Sequence, residues 1–215
     1  MGILAVALAI VSFVGPWWVV RAESSGLAYP NQSVFGYGTL GTTYTQQTPS
    51  GTATYTGNYT YSPEVADVFR VQAAFTGAGA LAGVGMVAVG ATRRPKPRSR
   101  TMGTLFGTLA FVLTLVALLY VMLELPAAVN LASSRVIGSH GLIRFFFSGF
   151  WGSQLYTTAT GTEYVTYGAG WAWYAVLGAT ALFLVGSVLL LRERARAPTP
   201  GVTADATRPP VTPKM

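Results

Sequence analysis

Four long apolar segments are the feature that most restricts what this chain can fold into. They cover residues 3–20, 66–91, 103–125 and 168–191, and none of them carries a charged residue near its middle. Only 10% of the 215 residues are charged, whereas about a quarter are charged in an ordinary soluble domain. A helix of about 20 apolar residues crosses the roughly 30 Å hydrocarbon core of a bilayer. The sequence therefore predicts a membrane α-helical protein with a four-transmembrane-helix bundle.

The first apolar segment has two interpretations, an uncleaved span or a secretory signal peptide. A signal peptide has a basic region before its apolar run and small residues at its cleavage site. Here only Met1 and Gly2 precede the run, and the bulky Trp17 and Trp18 lie where cleavage would fall. We therefore favour an uncleaved span, with the two tryptophans at a membrane interface, where such rings commonly anchor a helix end.

The basic residues are distributed unevenly between the segments that join the spans. Ten of the 14 Lys and Arg residues lie in residues 92–102 or 192–215, and the other four lie in the two long connecting segments or, for Arg70, near the start of the second span. Loops rich in Lys and Arg stay in the cytoplasm. Both termini are therefore expected to be cytoplasmic and both long loops to face outward from the cell membrane. The basic clusters could instead bind acidic lipid specifically, although their topological role explains them fully.

The expected order of segments follows from this orientation. No nucleic-acid partner is expected, because the basic residues flank apolar segments and form no stripe with interleaved aromatic residues. The predicted order is a first span (1–20), an extracellular β-rich loop (21–65), a second span (66–91), a basic cytoplasmic loop (92–102), a third span (103–125), a second extracellular loop with a β-hairpin (126–167), a fourth span (168–191) and a disordered cytoplasmic tail (192–215).

Small residues four positions apart recur in the second and third spans. Gly79 and Gly83 form one such pair, and Gly103 and Gly107 form another. In a bilayer, small residues allow two helix backbones to approach closely. These four glycines are therefore predicted to lie at helix contacts. The contacts could join two copies of the chain, but packing within one chain is the favoured interpretation.

The first long loop alternates between tyrosine and threonine. Tyr55, Tyr59 and Tyr61 share one parity, and the threonines of residues 52–60 share the other. Successive side chains of a strand point to opposite faces, so this pattern predicts a strand with an aromatic face and a hydroxyl face. Residues 39–46 are a second predicted strand, and residues 34–37 a further short one.

The second long loop predicts a hairpin, with strands at residues 154–158 and 162–167 around a turn. A lone hairpin is marginally stable in water, so the strands of both loops are expected to merge into one small extracellular antiparallel sheet on the outer end of the bundle. Residues 145–152 are strongly aromatic and are expected to pack under this sheet or to lie in the membrane interface. The candidate contact surface consists of six tyrosines: Tyr44, Tyr55, Tyr59, Tyr61, Tyr156 and Tyr164.

No catalytic, cofactor-binding or metal-binding motif is found. The chain has no cysteine, which excludes disulfides, thiolate metal sites and cysteine nucleophiles. His140 is the single histidine and has no ligand partner at a metal-binding spacing. Asp67, Arg70 and Glu124 lie near predicted outer ends of spans and are expected to form interfacial ion pairs, Asp67 with Arg70 and Glu124 with Arg70, Arg135 or Arg144. We therefore expect a non-enzymatic protein without a cofactor.

Two N-x-S/T sequons lie in the first long loop, at Asn31 and Asn58. Both asparagines are candidate glycosylation sites because the loop is expected to face outward.

This outline resembles the claudin-like tetraspan membrane proteins. They have four spans, both ends inside, a long first outer loop of strands and a second outer loop that adds to the same sheet. The resemblance covers the architecture of residues 1–192; the W-x-x-G/N-L-W signature and the loop cysteines of that family have no counterpart here. It implies an adhesion or structural role, in which the sheet contacts a membrane-protein partner or a second copy of the chain. The alternatives are an accessory subunit of a larger membrane enzyme or respiratory complex, and a small channel or transporter.

Overall fold

A computed structural model describes residues 1–25, 31–48, 50–60, 62–91, 97–140, 146–158 and 161–196. In these residues helices and strands alternate in blocks along the chain. The elements are α1 (Gly2–Val11), β1 (Pro16–Ser25), β2 (Asn31–Gly38), β3 (Gly41–Thr48), β4 (Gly51–Gly57), α2 (Pro63–Gly90), α3 (Pro97–His140), β5 (Gly152–Thr158), β6 (Gly161–Ala169) and α4 (Trp171–Arg196).

Three helices are long and apolar enough to cross a membrane, and they support a membrane-associated helical protein. The qualifying stretches are Pro63–Gly90, Thr101–Ser133 and Trp171–Arg192, while α1 is a shorter apolar helix. The first of these stretches, which contains the predicted second span, starts as its sequence predicts. Pro63 occupies the first turn of α2, where its missing N–H costs no hydrogen bond, and Glu64 follows it near the positive end of the helix dipole.

The prediction of one helical span over residues 1–20 is wrong in its extent. Helix α1 ends at Val11, and residues 16–25 form strand β1. Pro16 cannot supply a helical N–H, and an uninterrupted apolar run suits a strand covered on both faces as well as it suits a helix. Trp17 and Trp18 are fully buried in the protein core. The Trp17 indole donates a 3.0 Å hydrogen bond to the carbonyl of Ser12, just beyond α1.

The six strands form one antiparallel sheet in the order β4-β3-β2-β1-β6-β5. The merging of the two loops into a single sheet is therefore confirmed. Strand β1, which the sequence did not predict, joins them: Val20 lies opposite Phe35 of β2 on one side and Tyr167 of β6 on the other. Gly41 opens β3 with a φ of +145°, a conformation that favours glycine.

Helix α3 is much longer than the predicted third span at both ends. It begins at Pro97 and continues through Pro126 to His140, so residues 126–140 are helical and do not belong to a loop. Proline normally kinks or breaks a helix interior. Here Leu125 and Pro126 are both buried, and so is Ala128 in the following turn. This packing outweighs the local preference of proline to end the helix.

The four predicted packing glycines lie at helix contacts within the chain. Each faces another element so closely that a side chain would meet it. An added methyl group would meet Thr114 of α3 at Gly79, Phe183 of α4 at Gly83, Val89 of α2 at Gly103, and Ser187 of α4 at Gly107. Small residues thus let α2, α3 and α4 approach one another. One further contact between α3 and α4 is polar, because the Thr180 hydroxyl donates a 2.9 Å hydrogen bond to the buried Thr114 hydroxyl.

Candidate contact surface

Strands β3 and β4 form a part of the sheet that extends past the helices, which we call the wing. Their main contacts are with neighbouring strands and not with helices. Neither strand contains a charged residue. Strand β4 is an edge of the sheet, and all but one of its seven residues are exposed. The wing is therefore an uncharged surface that ends in an accessible strand.

The two faces of the wing differ in chemistry as the alternation predicts. We call the face that carries Val20 and Tyr167 the core face and the opposite one the hydroxyl face. On the core face, Tyr44 lies between Phe35 and Tyr55, with ring centroids 4.6 Å and 6.1 Å apart. We call these three rings the aromatic row, and it continues the core beyond the helices. The exposed fraction is 37% for Phe35 and 60% for Tyr55. The hydroxyl face carries cross-strand threonines, including Thr45 and Thr54, whose hydroxyls are 3.2 Å apart.

Tyr59 does not belong to the aromatic row. Strand β4 ends at Gly57, and Tyr59 turns back onto the β2–β3 turn. Its hydroxyl donates to the carbonyl of Gly38 at 2.7 Å, lies 3.0 Å from the carbonyl of Gly41, and accepts from the N–H of Gly38 at 3.0 Å. The ring stacks on Phe69 of α2, with centroids 5.6 Å apart. Tyr59 thus holds the turn between β2 and β3 against α2.

Burial moves the ionisation of two tyrosine hydroxyls of this region to higher pH. Burial raises the pKa of Tyr37 to about 12. It also raises the pKa of Tyr59, which the hydrogen bond with Gly38 opposes and the neighbouring Tyr37 reinforces. Both groups therefore act as neutral donors and acceptors at ordinary pH.

The two tyrosines of the second loop lie on opposite faces of the sheet. Tyr164 lies on the hydroxyl face opposite Leu155, and both are exposed. Tyr156 lies on the core face, where its hydroxyl donates to Gln154 and accepts from the N–H of Phe146 at 3.2 Å. The described tyrosines therefore form no single patch, and Tyr61 lies outside the described residues.

Residues 146–150 pack under the sheet around Trp18, which confirms one of the two locations expected for the aromatic segment. The Trp18 indole donates a 2.7 Å hydrogen bond to the carbonyl of Phe150, and its ring meets Phe147 edge-on at 4.9 Å. Asn130 of α3 fixes the same segment, because its amide both donates to and accepts from the backbone of Phe147 at 2.8 Å. Phe146 and Trp151 of the aromatic segment remain exposed.

Sequence reasoning missed the buried amide of Gln72, which ties the sheet to α2. Thr39 in the β2–β3 turn donates to the Gln72 side-chain oxygen at 2.8 Å, and the Gln72 amide donates to Thr76 at 3.0 Å. Gln72 is fully buried. In the sequence, Gln72 stands out only as a polar residue among apolar ones in the second span. A buried amide at such a position requires hydrogen-bond partners.

The charged residues contribute little to this arrangement. Arg70 and Asp67 form the predicted ion pair at 2.6 Å, but both side chains are largely exposed, so water screens the pair. Glu124 is exposed, and the side chains of its other expected partners, Arg135 and Arg144, lie outside the described part of the chain. Among the described residues, no three potential metal ligands come together.

Of the two sequon asparagines, the structure describes the side chain of Asn58 but not that of Asn31. The side chain of Asn58 is exposed, and its oxygen accepts hydrogen bonds from the backbone and the hydroxyl of Thr60. The side chain of Asn31 lies outside the described residues.

No protein-family model matches this sequence, and a search of curated proteins finds no match either. The function therefore has to be inferred from the geometry of the wing and its supports.

Proposed function

We propose that this is a non-enzymatic, multi-pass protein of the cell membrane whose sheet mediates contact with a partner membrane protein or with a second copy of the chain. The observation that carries the proposal is the exposed, uncharged edge strand β4 at the end of the wing. The unpaired N–H and C=O groups of an edge strand can pair with a strand from another chain. Proteins that avoid such pairing place Lys or Pro on the edge, and β4 has neither.

The proposed topology is that of a claudin-like tetraspan protein with both termini in the cytoplasm. The three long apolar helices support it, together with the ten basic residues in residues 92–102 and 192–215. Helix α1 would be the fourth membrane element, since it packs against α2 and α4. The sheet would then lie outside the cell, because β1 and β6 join the ends of α1 and α4 opposite the basic tail.

Strand β4 is a better candidate for pairing than β5, the other edge of the sheet. On the core face of β5, the side chains of Gln154 and Tyr156 are engaged by hydrogen bonds with the backbone of Phe146. Strand β4 has its main contacts with β3 alone. The aromatic row also reaches its exposed end at Tyr55 on β4, and aromatic rings are enriched in protein interfaces.

Lysine substitutions on the two edges test this proposal. Thr54→Lys places a charge on exposed β4, and Leu155→Lys places one on exposed β5 as the matched control. The readout is the number of copies per particle in nanodiscs, counted by photobleaching, with circular dichroism to verify folding. We expect Thr54→Lys to lower self-association, or stoichiometric recovery of one partner, at least tenfold, and Leu155→Lys to leave it unchanged.

Three outcomes would contradict the proposal. A wild-type chain that is monomeric and recovers no partner has no contact function. Equal losses in both variants would show that charge, and not the β4 edge, controls association. Recovery in a fixed ratio with a cofactor-bearing protein, unaffected by Thr54→Lys, would favour the accessory-subunit alternative.

A further inference from the structure

A second surface feature lies on the hydroxyl face, where β1, β6 and the start of α4 meet. It is an open pocket of about 410 Å³. Arg21 and Thr166, which lie opposite each other on β1 and β6, form part of its wall. Three rings that are about half exposed complete it: Trp151, Trp171 and Tyr174. The pocket thus combines one cation with a group of accessible aromatic rings.

Two glycines give this pocket its shape. A methyl group added at Gly168 would lie 2.7 Å from the ring of Trp151, so the absence of a side chain lets this ring lie across β6. At Gly170 an added methyl group would collide with the carbonyl of Pro16, and the Gly170 N–H donates a 2.9 Å hydrogen bond to the carbonyl of Trp17. The start of α4 is therefore fixed against the start of β1.

Arg21 forms no ion pair in the part of the chain that the structure describes. The one ion pair found there joins Arg70 and Asp67. Glu23 lies two residues from Arg21 on the same face, but it accepts a 2.8 Å hydrogen bond from Gln32. Arg21 itself is exposed beside the pocket. An exposed, unpaired guanidinium is suited to a phosphate, which it can bind through two parallel hydrogen bonds.

If the chain spans a bilayer as proposed, the pocket lies close to the level of the lipid headgroups. Twenty residues of α4 separate Leu191 from Trp171, which at 1.5 Å per residue is about 30 Å, the thickness of the hydrocarbon core. Trp171 then marks the outer edge of that core. Arg21 lies four strand residues beyond Trp17, or about 13 Å, and its flexible stem can reach back toward a headgroup layer about 5–8 Å thick.

We propose that this pocket binds the phosphate of an anionic phospholipid in the outer leaflet. Arg21 holds the phosphate, and the rings of Trp151, Trp171 and Tyr174 contact the glycerol and the upper acyl chain. The proposal rests on insertion of the chain in a bilayer, but it does not depend on what β4 contacts. Anionic lipid is favoured over zwitterionic lipid because Arg21 forms no ion pair among the described residues, and the headgroup of an anionic lipid carries no cation of its own that compensates the phosphate.

The test compares lipid retention in four proteins. Wild type, Arg21→Gln, Arg21→Lys and Arg70→Gln are reconstituted in nanodiscs that contain phosphatidylcholine and phosphatidylglycerol, and the lipid that each protein retains on release is measured by native mass spectrometry. Arg70 is the matched control because it is also an exposed arginine but is already paired with Asp67. We expect Arg21→Gln to retain at least fivefold less phosphatidylglycerol, Arg70→Gln to behave as wild type, and Arg21→Lys to recover part of the loss.

The outcomes separate this site from the alternatives. Equal retention by wild type and Arg21→Gln, or equal losses in both Gln variants, would refute the site. Displacement of the lipid by excess inorganic phosphate would identify a site for a free anion and would also refute it. A chain that does not insert into nanodiscs would refute the membrane topology itself, whereas a failure of the Thr54→Lys test would leave lipid retention unchanged.

Discussion

Replacing Tyr59 by phenylalanine tests whether this residue supports the fold or is displayed to a partner. The substitution removes one oxygen atom and leaves the ring stacked on Phe69. Alternation along residues 52–61 predicts a displayed ring, whereas the structure directs the hydroxyl to the backbone of Gly38 and Gly41. The variant therefore distinguishes a structural hydrogen bond from a surface hydroxyl.

The expected cost follows from the number of hydrogen bonds that can exist at once. The Tyr59 hydroxyl has one hydrogen, so it donates either to Gly38 or to Gly41, while it accepts from the Gly38 N–H. Two bonds are lost, each with a net value of about 0.5–1.5 kcal/mol. The opening free energy of the β2–β3 turn should therefore fall by about 1–3 kcal/mol, which corresponds to roughly 5–150-fold faster exchange of its amides.

Amide hydrogen exchange followed by mass spectrometry measures this effect directly. The peptide to follow covers the turn between β2 and β3, because the Gly38 N–H is itself one of the donors. Tyr55→Phe is the matched control, since this tyrosine is 60% exposed and lies on the open end of the aromatic row. We expect no change in exchange for the control. Exchange at the wild-type rate in Tyr59→Phe would refute the structural role, as would equal acceleration in both variants.

Three further predictions concern contacts between the helices and the stability of the sheet at alkaline pH. Gly83→Ala should lower the free energy of unfolding by about 1–3 kcal/mol because the added methyl group overlaps a phenylalanine ring. Gly90 has open space around it, so Gly90→Ala should not lower the free energy of unfolding. Thermal unfolding of both variants in the same detergent compares the two effects. The pKa of Tyr37 is raised to about 12 from 10.0, so its contribution to stability is complete below pH 10 and is lost as the pH rises through 12. Near-ultraviolet circular dichroism should accordingly change between those values, and a transition complete below pH 10 would contradict this. Thr114→Val removes the hydroxyl that accepts from Thr180 and should lower the free energy of unfolding by about 0.6–2 kcal/mol. Thr114→Ser keeps a hydroxyl and should lower it less, as measured by thermal unfolding.

Local patterns were sufficient to predict most of the strands. The alternation of Tyr and Thr, with turn residues between the runs, predicts β3, β4 and the second-loop hairpin. The parity of Tyr55 also predicts that it lies on the aromatic face of β4. These predictions succeed because one face of each strand differs in chemistry from the other.

Strand β1 could not be predicted in the same way. Residues 16–20 are all apolar, and Trp17 and Trp18 are both buried although they are adjacent in the strand. A strand covered on both faces has no alternation, so periodicity does not distinguish it from the end of an apolar helix. Pro16 was the one local signal of a boundary.

The roles of Tyr59, Asn130 and Gln72 depend on tertiary contacts that no local pattern records. Tyr59 keeps the parity of Tyr55, but parity has meaning only inside a strand, and β4 ends at Gly57. Asn130 and Gln72 bind groups that lie 17 and 33 residues away in the chain. A sequence shows that such amides require partners, but it does not show which backbone or hydroxyl groups the fold brings to them.

The junction between β6 and α4 is very short. Gly170 alone separates β6 from α4, and its N–H is bonded to the start of β1. The sheet is therefore expected to rotate as one body about the ends of α1 and α4. Strand β4 lies three strands from β1, or about 14 Å, so a rotation of the sheet by about 5° displaces β4 by about 1 Å. A partner bound at β4, as proposed, would in this way be connected mechanically to the angle between α1 and α4.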